Sequence, residues 1–318
     1  MRKPIDRLSG SITALATPFR DGRIDEAAQV ALVERQILRG TAALVVCGST
    51  GEAAMLSLAE HAHNVRLVVS VAAGRVPVIA GCTAQATADA CALAVAAVRA
   101  GADGLLLAPP PYVKPTQLGI IAHTTAVARA ADLPIVLYDV PSRVGVAIAD
   151  TTVANLSDAG HVIAVKDATG DLSRPPRLRD LCGPGLLQFT GEDSLAGAYR
   201  AMGGHGCISV TANVAPALCA ALHSAWDAGD LARHVRLRDL LAPLHAALFA
   251  ESNPIPLKAA LAQLHLCLDG LRAPLTPASP TTHDRLAGVL ARILPAEDRE
   301  ARPRSAPRLV APHLMAVG

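Results

Sequence analysis

Eight short runs of branched apolar residues recur along this chain, separated by roughly 20–35 residues. Each run is too short for a helix, and several end in glycine, proline or a polar residue, as buried β-strands do. We therefore predict eight strands, which are Ser11–Thr17, Ala43–Cys47, Val78–Gly81, Gly104–Ala108, Ile135–Asp139, Val162–Lys166, Leu187–Gly191 and Gly206–Val210.

The segments between these strands have the composition and the period of helices. The clearest are Asp25–Arg39, Thr83–Ala100 and Thr116–Ala130. Strands that alternate with helices form parallel sheets, and eight such units in roughly 220 residues match a closed (β/α)8 TIM barrel of the α/β class. The alternative is a doubly wound sheet, in which the turn after the first strand is usually rich in glycine. Here that turn, Pro18–Gly22, holds a single glycine.

The strand pattern stops near residue 224. Three helical segments follow it, at Leu231–Phe249, Ile255–Leu268 and Pro280–Leu294. Beyond them, proline and arginine are mixed without a period. We therefore predict a catalytic barrel over residues 1–224, a C-terminal helical subdomain over 225–296 and a poorly ordered tail over 297–318.

Composition argues against several classes of protein. The net charge is +2 and no dense basic stripe precedes the tail, so nucleic acid is not an expected partner. No apolar run reaches about 18 residues, and the N-terminal segment lacks the apolar core of a signal peptide, so we expect neither a membrane span nor secretion. The seven cysteines are scattered, without a CxxC pair, which indicates free thiols in the cytoplasm.

A lysine stands at the end of the sixth apolar run, in the sequence HVIAVKDATG. In a (β/α)8 barrel the carboxyl ends of the strands face the active site, so Lys166 is a candidate catalytic residue. Alternatively, Lys166 is a surface residue whose ammonium extends into water. An amine kept from water loses part of its preference for the charged form and can attack a ketone to give a Schiff base. We hypothesise a lyase or aldolase that acts on a 2-oxo acid.

The second predicted strand is followed by a turn that contains Gly48, Ser49, Thr50 and Gly51. Successive backbone amides and two hydroxyl groups in such a turn can hold a carboxylate. The same residues can also serve simply to begin a helix, with the serine or the threonine as its N-cap. The two roles are compatible with each other.

Other strand ends contribute further candidates. Tyr138 lies at the end of the fifth strand and Arg143 on the loop after it, and Tyr112 follows the fourth strand on a loop stiffened by three prolines. Gly191 and Ile208, at the ends of the seventh and eighth strands, can offer close backbone approach and an apolar wall. A single tyrosine or arginine is usually a packing or surface residue, but the chain has only three tyrosines.

The residues indicate no metal site. The eleven histidines are scattered, and His61, His63 and His161 lack acidic partners at ligand spacing. The GxSxG motif and the phosphate-binding P-loop are both missing from the sequence.

Several of these segments resemble one family. The sequences GSTGE, YDVPSRVG, VKDATG, TGEDS and GGHGCISVTANV, followed by NPIPLK at 253–258, occur in order and at the spacing of the dihydrodipicolinate synthase family. That family belongs to the pyruvate-dependent N-acetylneuraminate lyase superfamily of (β/α)8 aldolases. The resemblance extends from about Gly10 to Leu294.

The resemblance implies a role for each candidate. Lys166 forms a Schiff base with pyruvate, and Thr50, Tyr138 and the Tyr112 of a neighbouring subunit relay protons. Ser49 and Thr50 bind the pyruvate carboxylate, and Arg143 binds the carboxylate of L-aspartate 4-semialdehyde. The implied product is 4-hydroxy-tetrahydrodipicolinate, and the implied assembly is a homotetramer built as a dimer of dimers. The resemblance implies no organic cofactor.

The chain also departs from the family. The family often has threonine at the position of Ser49, asparagine at Asp139 and glutamate at Asp167. The positions that match the inhibitory lysine site of some members lack several of its polar and aromatic groups, so we predict weak inhibition by L-lysine or none. These positions include Ala53, Leu58, His61, Gln85, Asp89 and Pro111.

Two alternatives remain open. A sister enzyme, such as a sugar-acid aldolase, a dehydratase or an N-acetylneuraminate lyase, would use the same lysine, but Arg143 in PSRVG favours a small acidic aldehyde over a polyhydroxylated sugar. The other alternative is a non-catalytic barrel that binds a small acid. The combination of Lys166 with Tyr138, Thr50 and Tyr112 argues against it, because a binding protein needs no nucleophile.

Overall fold

The computed structural model describes residues 5–301, so the predicted tail beyond 301 lies outside the described residues. Eight parallel strands form a closed barrel, and each pairs with its neighbours in chain order until β8 pairs with β1. The predicted TIM barrel is confirmed. The strands are β1 Gly10–Ala14, β2 Ala43–Val46, β3 Val78–Gly81, β4 Gly104–Leu107, β5 Ile135–Asp139, β6 Val162–Asp167, β7 Leu187–Thr190 and β8 Gly206–Ser209.

The barrel strands are buried on both faces, which is why apolar residues dominate most of them, although Ser11, Thr13 and Gln188 are polar. Side chains of one face fill the interior of the barrel, among them Ile12, Ile79, Phe189 and Ile208. Side chains of the other face pack against the surrounding helices. Small and branched aliphatic residues dominate both layers, as the low aromatic content of the sequence requires.

Helices follow the barrel strands and surround them. Asp25, Ser57 and Thr116 begin three of them as N-caps, because each side chain accepts a hydrogen bond from a backbone amide of the first turn. The helices of the barrel are α1 Glu26–Leu38, α2 Leu58–Ala72, α3 Thr87–Ala100, α4 Gln117–Ala131, α5 Pro141–Val144, α6 Asp150–Asp158, α7 Arg174–Cys182, α8 Ala196–Ala201 and α9 Pro216–Asp227.

The first predicted strand is too long by three residues. The strand ends at Ala14 because, beyond this point, the side chain of Asn213 forms hydrogen bonds with the backbone. Asn213 lies in a short turn after β8. The Asn213 side chain accepts from the amide of Ala16 and donates to the carbonyl of Ala14, at 3.1 and 2.7 Å. A small antiparallel pair, Phe19–Arg20 with Arg23–Ile24, follows and was not predicted.

Three helices beyond the barrel form the predicted C-terminal appendage. They are α10 Leu231–Leu248, α11 Ile255–Gln263 and α12 Pro280–Ala301, which pack together and against α9. In the described part of the chain, none of the helices combines the length and the apolar character needed to cross a membrane.

The helix α12 continues past the predicted start of the tail at residue 297. Pro295 lies inside the helix, although proline removes a backbone donor and crowds the preceding turn. The helix persists because Glu297 is fully buried and bonded. Its carboxylate accepts from the amides of Ala217 and Leu218 at the start of α9, and from Arg39 at 2.7 Å.

Candidate active site

Lys166 and Tyr138 lie side by side at the carboxyl ends of β6 and β5. Their Cα atoms are paired in the parallel ladder, which places both side chains on the same face of the sheet. Nζ of Lys166 lies 4.1 Å from the centroid of the Tyr138 ring, and the two residues are 6% and 8% exposed. The lysine is therefore a buried amine on the face of an aromatic ring. The alternative interpretation of Lys166, as a surface lysine whose ammonium extends into water, is wrong.

Gly191 leaves room for the lysine side chain. A Cβ atom added at Gly191 would lie 3.0 Å from Cε of Lys166 and 3.1 Å from Cβ of Ala168, closer than ordinary contacts. Ile208 is fully buried in the barrel interior, in the same apolar cluster as Tyr138. Gly191 is therefore in close contact with the lysine, and Ile208 packs in the barrel interior, although neither is among the lining residues of the cavity.

The turn after β2 contains backbone amides that have no acceptor among the described residues. The amides of Gly51, Glu52 and Ala53 donate to carbonyls within the turn, whereas those of Ser49 and Thr50 have no acceptor in residues 5–301. Thr50 is 3% exposed, and Ser49 is half-buried. The arrangement can hold a carboxylate with these amides and a hydroxyl group.

A cavity of about 310 Å³ lies at the carboxyl ends of β2 to β5. Ser49, Tyr138 and Arg143 are among its lining residues. Lys166 is not a lining residue, but its Nζ packs on the ring of Tyr138, and Tyr138 does line the cavity. The volume is at the small end of ligand sites in proteins, which suits a compact organic acid.

Arg143 stands in the short helix α5, directly after β5. Its Nη2 donates to the backbone carbonyl of Asn253 at 2.9 Å, and the residue is otherwise exposed. One end of the guanidinium is thus anchored, while its other N–H groups remain available to bind a carboxylate at the cavity.

Tyr112 is not brought into this cluster within a single chain. It is 85% exposed, its backbone has a positive φ of 73°, and it is not among the lining residues of the cavity. The neighbouring Val113 is 58% exposed. A role for Tyr112 in catalysis therefore depends on a second subunit, as the family resemblance implies.

Two connections at this site were not predicted from the sequence. Asn253, the first residue of the NPIPLK segment, donates through Nδ2 to Oγ1 of Thr50 at 3.0 Å. Glu52, which lines the cavity, forms a fully buried ion pair with Lys258 of the same segment, with 3.0 Å between Oε1 and Nζ. The segment was recognisable as a motif, but only the fold shows that it contacts the turn after β2.

A second missed feature is a buried charge cluster behind the lysine. Asp139 and Asp167, the residues that directly follow Tyr138 and Lys166, are also paired in the ladder. Arg174 bridges them, with Nη1 2.7 Å from Asp139 and 3.5 Å from Asp167. Burial raises the pKa of Asp139, and the Arg174 guanidinium offsets part of that effect.

Glu192 is a further residue of the site that was not predicted. It follows Gly191 in TGEDS and is half-buried near the lysine. Burial and the adjacent Asp193 raise the pKa of Glu192, while the positive charge of Lys166 acts in the opposite direction. The site thus contains a carboxyl group that binds protons more readily than a surface glutamate.

Known proteins resemble this chain over most of its length. Residues 7–293 match the model of the dihydrodipicolinate synthetase family. The 4-hydroxy-tetrahydrodipicolinate synthase of Rhodospirillum centenum is 50% identical over 281 residues, which cover 88% of this chain and 97% of that protein.

Solved structures agree with the sequence match. The 4-hydroxy-tetrahydrodipicolinate synthase of Methylacidiphilum fumariolicum SolV superposes with a TM-score of 0.89 and 34% identity, over 92% of this chain and 99% of that one. A structure described as the first monomeric dihydrodipicolinate synthase variant superposes with a TM-score of 0.87 and 34% identity. The match covers 91% of this chain and 98% of that one. The chain therefore belongs to the dihydrodipicolinate synthetase family.

Proposed function

We propose that this chain is a 4-hydroxy-tetrahydrodipicolinate synthase, a lyase that condenses pyruvate with L-aspartate 4-semialdehyde. The observation that carries the proposal is the buried Nζ of Lys166, 4.1 Å from the ring of Tyr138 at the carboxyl ends of the strands. The chain's membership of the family supports the assignment of the two substrates.

The reaction begins at the lysine. Nζ of Lys166 attacks C2 of pyruvate, and loss of water gives a Schiff base. Removal of a methyl proton then gives an enamine, whose carbon attacks the aldehyde carbon of the second substrate. The amino group of that substrate displaces the lysine from C2 and closes the ring, which returns Lys166 to its starting state.

We assign the surrounding residues to binding and to proton transfer. The amides and the hydroxyl groups of Ser49 and Thr50 bind the pyruvate carboxylate, and Arg143 binds that of the aldehyde. Thr50, Tyr138 and a neighbouring subunit's Tyr112 carry protons to and from the reacting carbons. Gly191 offers close backbone approach beside the lysine, and Ile208 offers an apolar wall. No residue is assigned to a metal or a cofactor.

Trapping with borohydride tests the covalent step. The protein is incubated with pyruvate, reduced, digested and analysed by mass spectrometry. We expect one reduced pyruvate adduct, located on Lys166. The buried Lys258 serves as an internal control, because its Nζ is ion-paired with Glu52. An unmodified Lys166, or an adduct on Lys258, would contradict the proposal.

A comparison of second substrates tests the specificity. Initial rates are measured with L-aspartate 4-semialdehyde and pyruvate, with N-acetylneuraminate, and with a keto-deoxy sugar acid. We expect turnover only with the first, since Arg143 offers a partner for a carboxylate rather than for a chain of hydroxyl groups. Faster turnover of either sugar acid would identify a sister enzyme instead.

We also propose that the enzyme is a homotetramer. Tyr112, Val113 and Leu118 expose 85%, 58% and 78% of their surface, an unusual concentration of large apolar side chains on one loop and the helix after it. That a related synthase is described as the first monomeric variant supports the same view. Sedimentation velocity measures the assembly, and a monomer would contradict the proposal.

The enzyme is further proposed to act in the cytoplasm. All seven cysteines are unpaired in the structure, and four of them are buried. Free thiols throughout a chain of this length are typical of a reducing compartment. Activity confined to a membrane or extracellular fraction of the cell would contradict this location.

A further inference from the structure

Asn253 reaches the candidate site from outside the barrel. It lies between α10 and α11, yet its Nδ2 donates to Thr50 and its backbone carbonyl accepts from Arg143. One residue of the C-terminal appendage thus joins the two residues that we assign to the carboxylates of the two substrates.

The remaining polar atom of this side chain has no partner. Asn253 is 8% exposed and lines the cavity, and its Oδ1 is buried without a hydrogen bond to any part of residues 5–301. Buried acceptors in folded proteins are nearly always paired, because an unpaired one loses its bond to water without replacement. An open acceptor beside a cavity indicates that the donor comes from a ligand.

We propose that Oδ1 of Asn253 accepts a hydrogen bond from the ammonium group of L-aspartate 4-semialdehyde. This inference rests on the proposed function. Of the two substrates, pyruvate carries only acceptors, whereas the aldehyde carries N–H donors on its ammonium group. That group shares a carbon atom with the carboxylate assigned to Arg143, so an acceptor joined to Arg143 is well placed to bind it.

The one carboxylate among the lining residues of the cavity, that of Glu52, is already paired. It pairs with Nζ of Lys258 at 3.0 Å and accepts from the amide of Arg272 at 2.9 Å. A neutral amide oxygen also suits the reaction better than a carboxylate. An adjacent negative charge would favour the protonated ammonium, whereas the amine must lose a proton before it can attack C2.

The same side chain fixes the hydroxyl group of Thr50. Because Nδ2 of Asn253 donates to Oγ1, one lone pair of the hydroxyl is occupied, and its proton is left to be donated elsewhere. Asn253 is therefore also a positioning residue for the threonine that we place in the proton relay.

Two variants and two aldehydes separate these roles. The second aldehyde is succinate semialdehyde, which has the same carboxylate and aldehyde but no ammonium group. We expect Asn253→Ala to raise KM for aspartate semialdehyde by about tenfold or more, and to leave the inhibition constant of succinate semialdehyde within about twofold. Asn253→Asp keeps an acceptor, so the ratio of KM for aspartate semialdehyde to the inhibition constant of succinate semialdehyde should stay near its wild-type value. Its kcat should fall, because the donor to Thr50 is lost.

Pyruvate trapping on Lys166 accompanies each measurement. If the wild-type protein forms no adduct, the proposed function fails. If it does, equal weakening of both aldehydes in Asn253→Ala, or no change in either, overturns the inference and leaves the function intact. If Asn253→Ala does not fold, Asn253→Asp serves as the test by itself. A changed ratio between the constants of the two aldehydes in that variant would also overturn the inference.

Discussion

Glu52 and Lys258 form an ion pair with both side chains fully buried, 3.0 Å between Oε1 and Nζ. The pair joins the turn after β2 to helix α11. Burial lowers the pKa of Lys258, and Glu52 acts against that effect. Two charges removed from water in this way stabilise the fold only while both are present.

Lys258→Met should therefore lower the free energy of unfolding by about 3–5 kcal/mol, because it leaves the Glu52 carboxylate buried without a counter-charge. Urea denaturation measures the change. Adding Glu52→Gln to this variant should recover much of the loss. As a control, Arg75→Met breaks the pair with Glu34, in which both side chains are 40% exposed, and should have little effect.

Gly191→Ala should lower the rate of Schiff-base formation by roughly tenfold, because the new methyl group displaces Cε of Lys166. The rate is followed by quenching pyruvate reactions with borohydride at timed intervals. Gly185→Ala is the matched control, since an added Cβ there meets no atom within 4 Å. Equal rates in the two variants would show that the contact at Gly191 does not constrain the lysine.

Acid should destabilise the protein through its buried histidines. Burial lowers the pKa of His223 from 6.5 to about 3. Between these values the unfolded chain binds the proton and the folded one does not, so stability is lost as the pH falls, by up to about 1.4 kcal/mol per pH unit for one histidine.

His223→Leu should remove that part of the pH dependence. Urea midpoints measured between pH 6.5 and pH 4 test this, and the slope should be smaller than in the wild-type protein. The exposed His63, replaced in the same way, should alter the slope much less. An unchanged slope in His223→Leu would mean that this histidine is not the group that titrates.

Tyr112→Phe and Lys166→Met should complement each other. Each variant alone should have little activity, but a mixed dimer holds one site with both residues if the tyrosine comes from the neighbouring subunit. Random reassembly of an equal mixture should restore roughly a quarter of the wild-type activity. Absence of any recovery would place the tyrosine's effect within its own chain.

L-Lysine should inhibit the enzyme weakly or not at all. Of the positions that match the inhibitory site, Ala53 and Pro111 line the active-site cavity with apolar groups, and Nε2 of His61 is bonded to the carbonyl of Gly81 at 2.7 Å. Initial rates at increasing L-lysine check this. Half-inhibition below about a millimolar would contradict the prediction.

The barrel was predictable because burial on both faces makes most of the strands nearly continuous apolar runs. Val78–Gly81 and Ile135–Asp139 match the predicted limits, and the lysine at the end of β6 followed from the same rule. Contacts between distant parts of the chain were not predictable in this way. Asn253 and Thr50 are 203 positions apart, and no local pattern marks the pair.

Helix limits were least predictable where tertiary contacts override local preference. Predicted helix Thr83–Ala100 begins only at Thr87, because Thr83 accepts from the amide of Ala108 through its hydroxyl oxygen. The end of α12 depends on Glu297, whose partners are Arg39, directly after α1, and the first residues of α9. A sequence read in isolation contains neither interaction.

The pairing of β8 with β1 has a consequence for synthesis on the ribosome. Gly10 finds its partner only when Gly206 has been made, so the ring stays open while most of the nascent chain emerges. Asn253 is translated later still. A polypeptide released early would thus carry Lys166 but would lack both a closed ring and the hydrogen bond from Asn253 to Thr50. Catalytic competence is therefore acquired only in the last stage of translation.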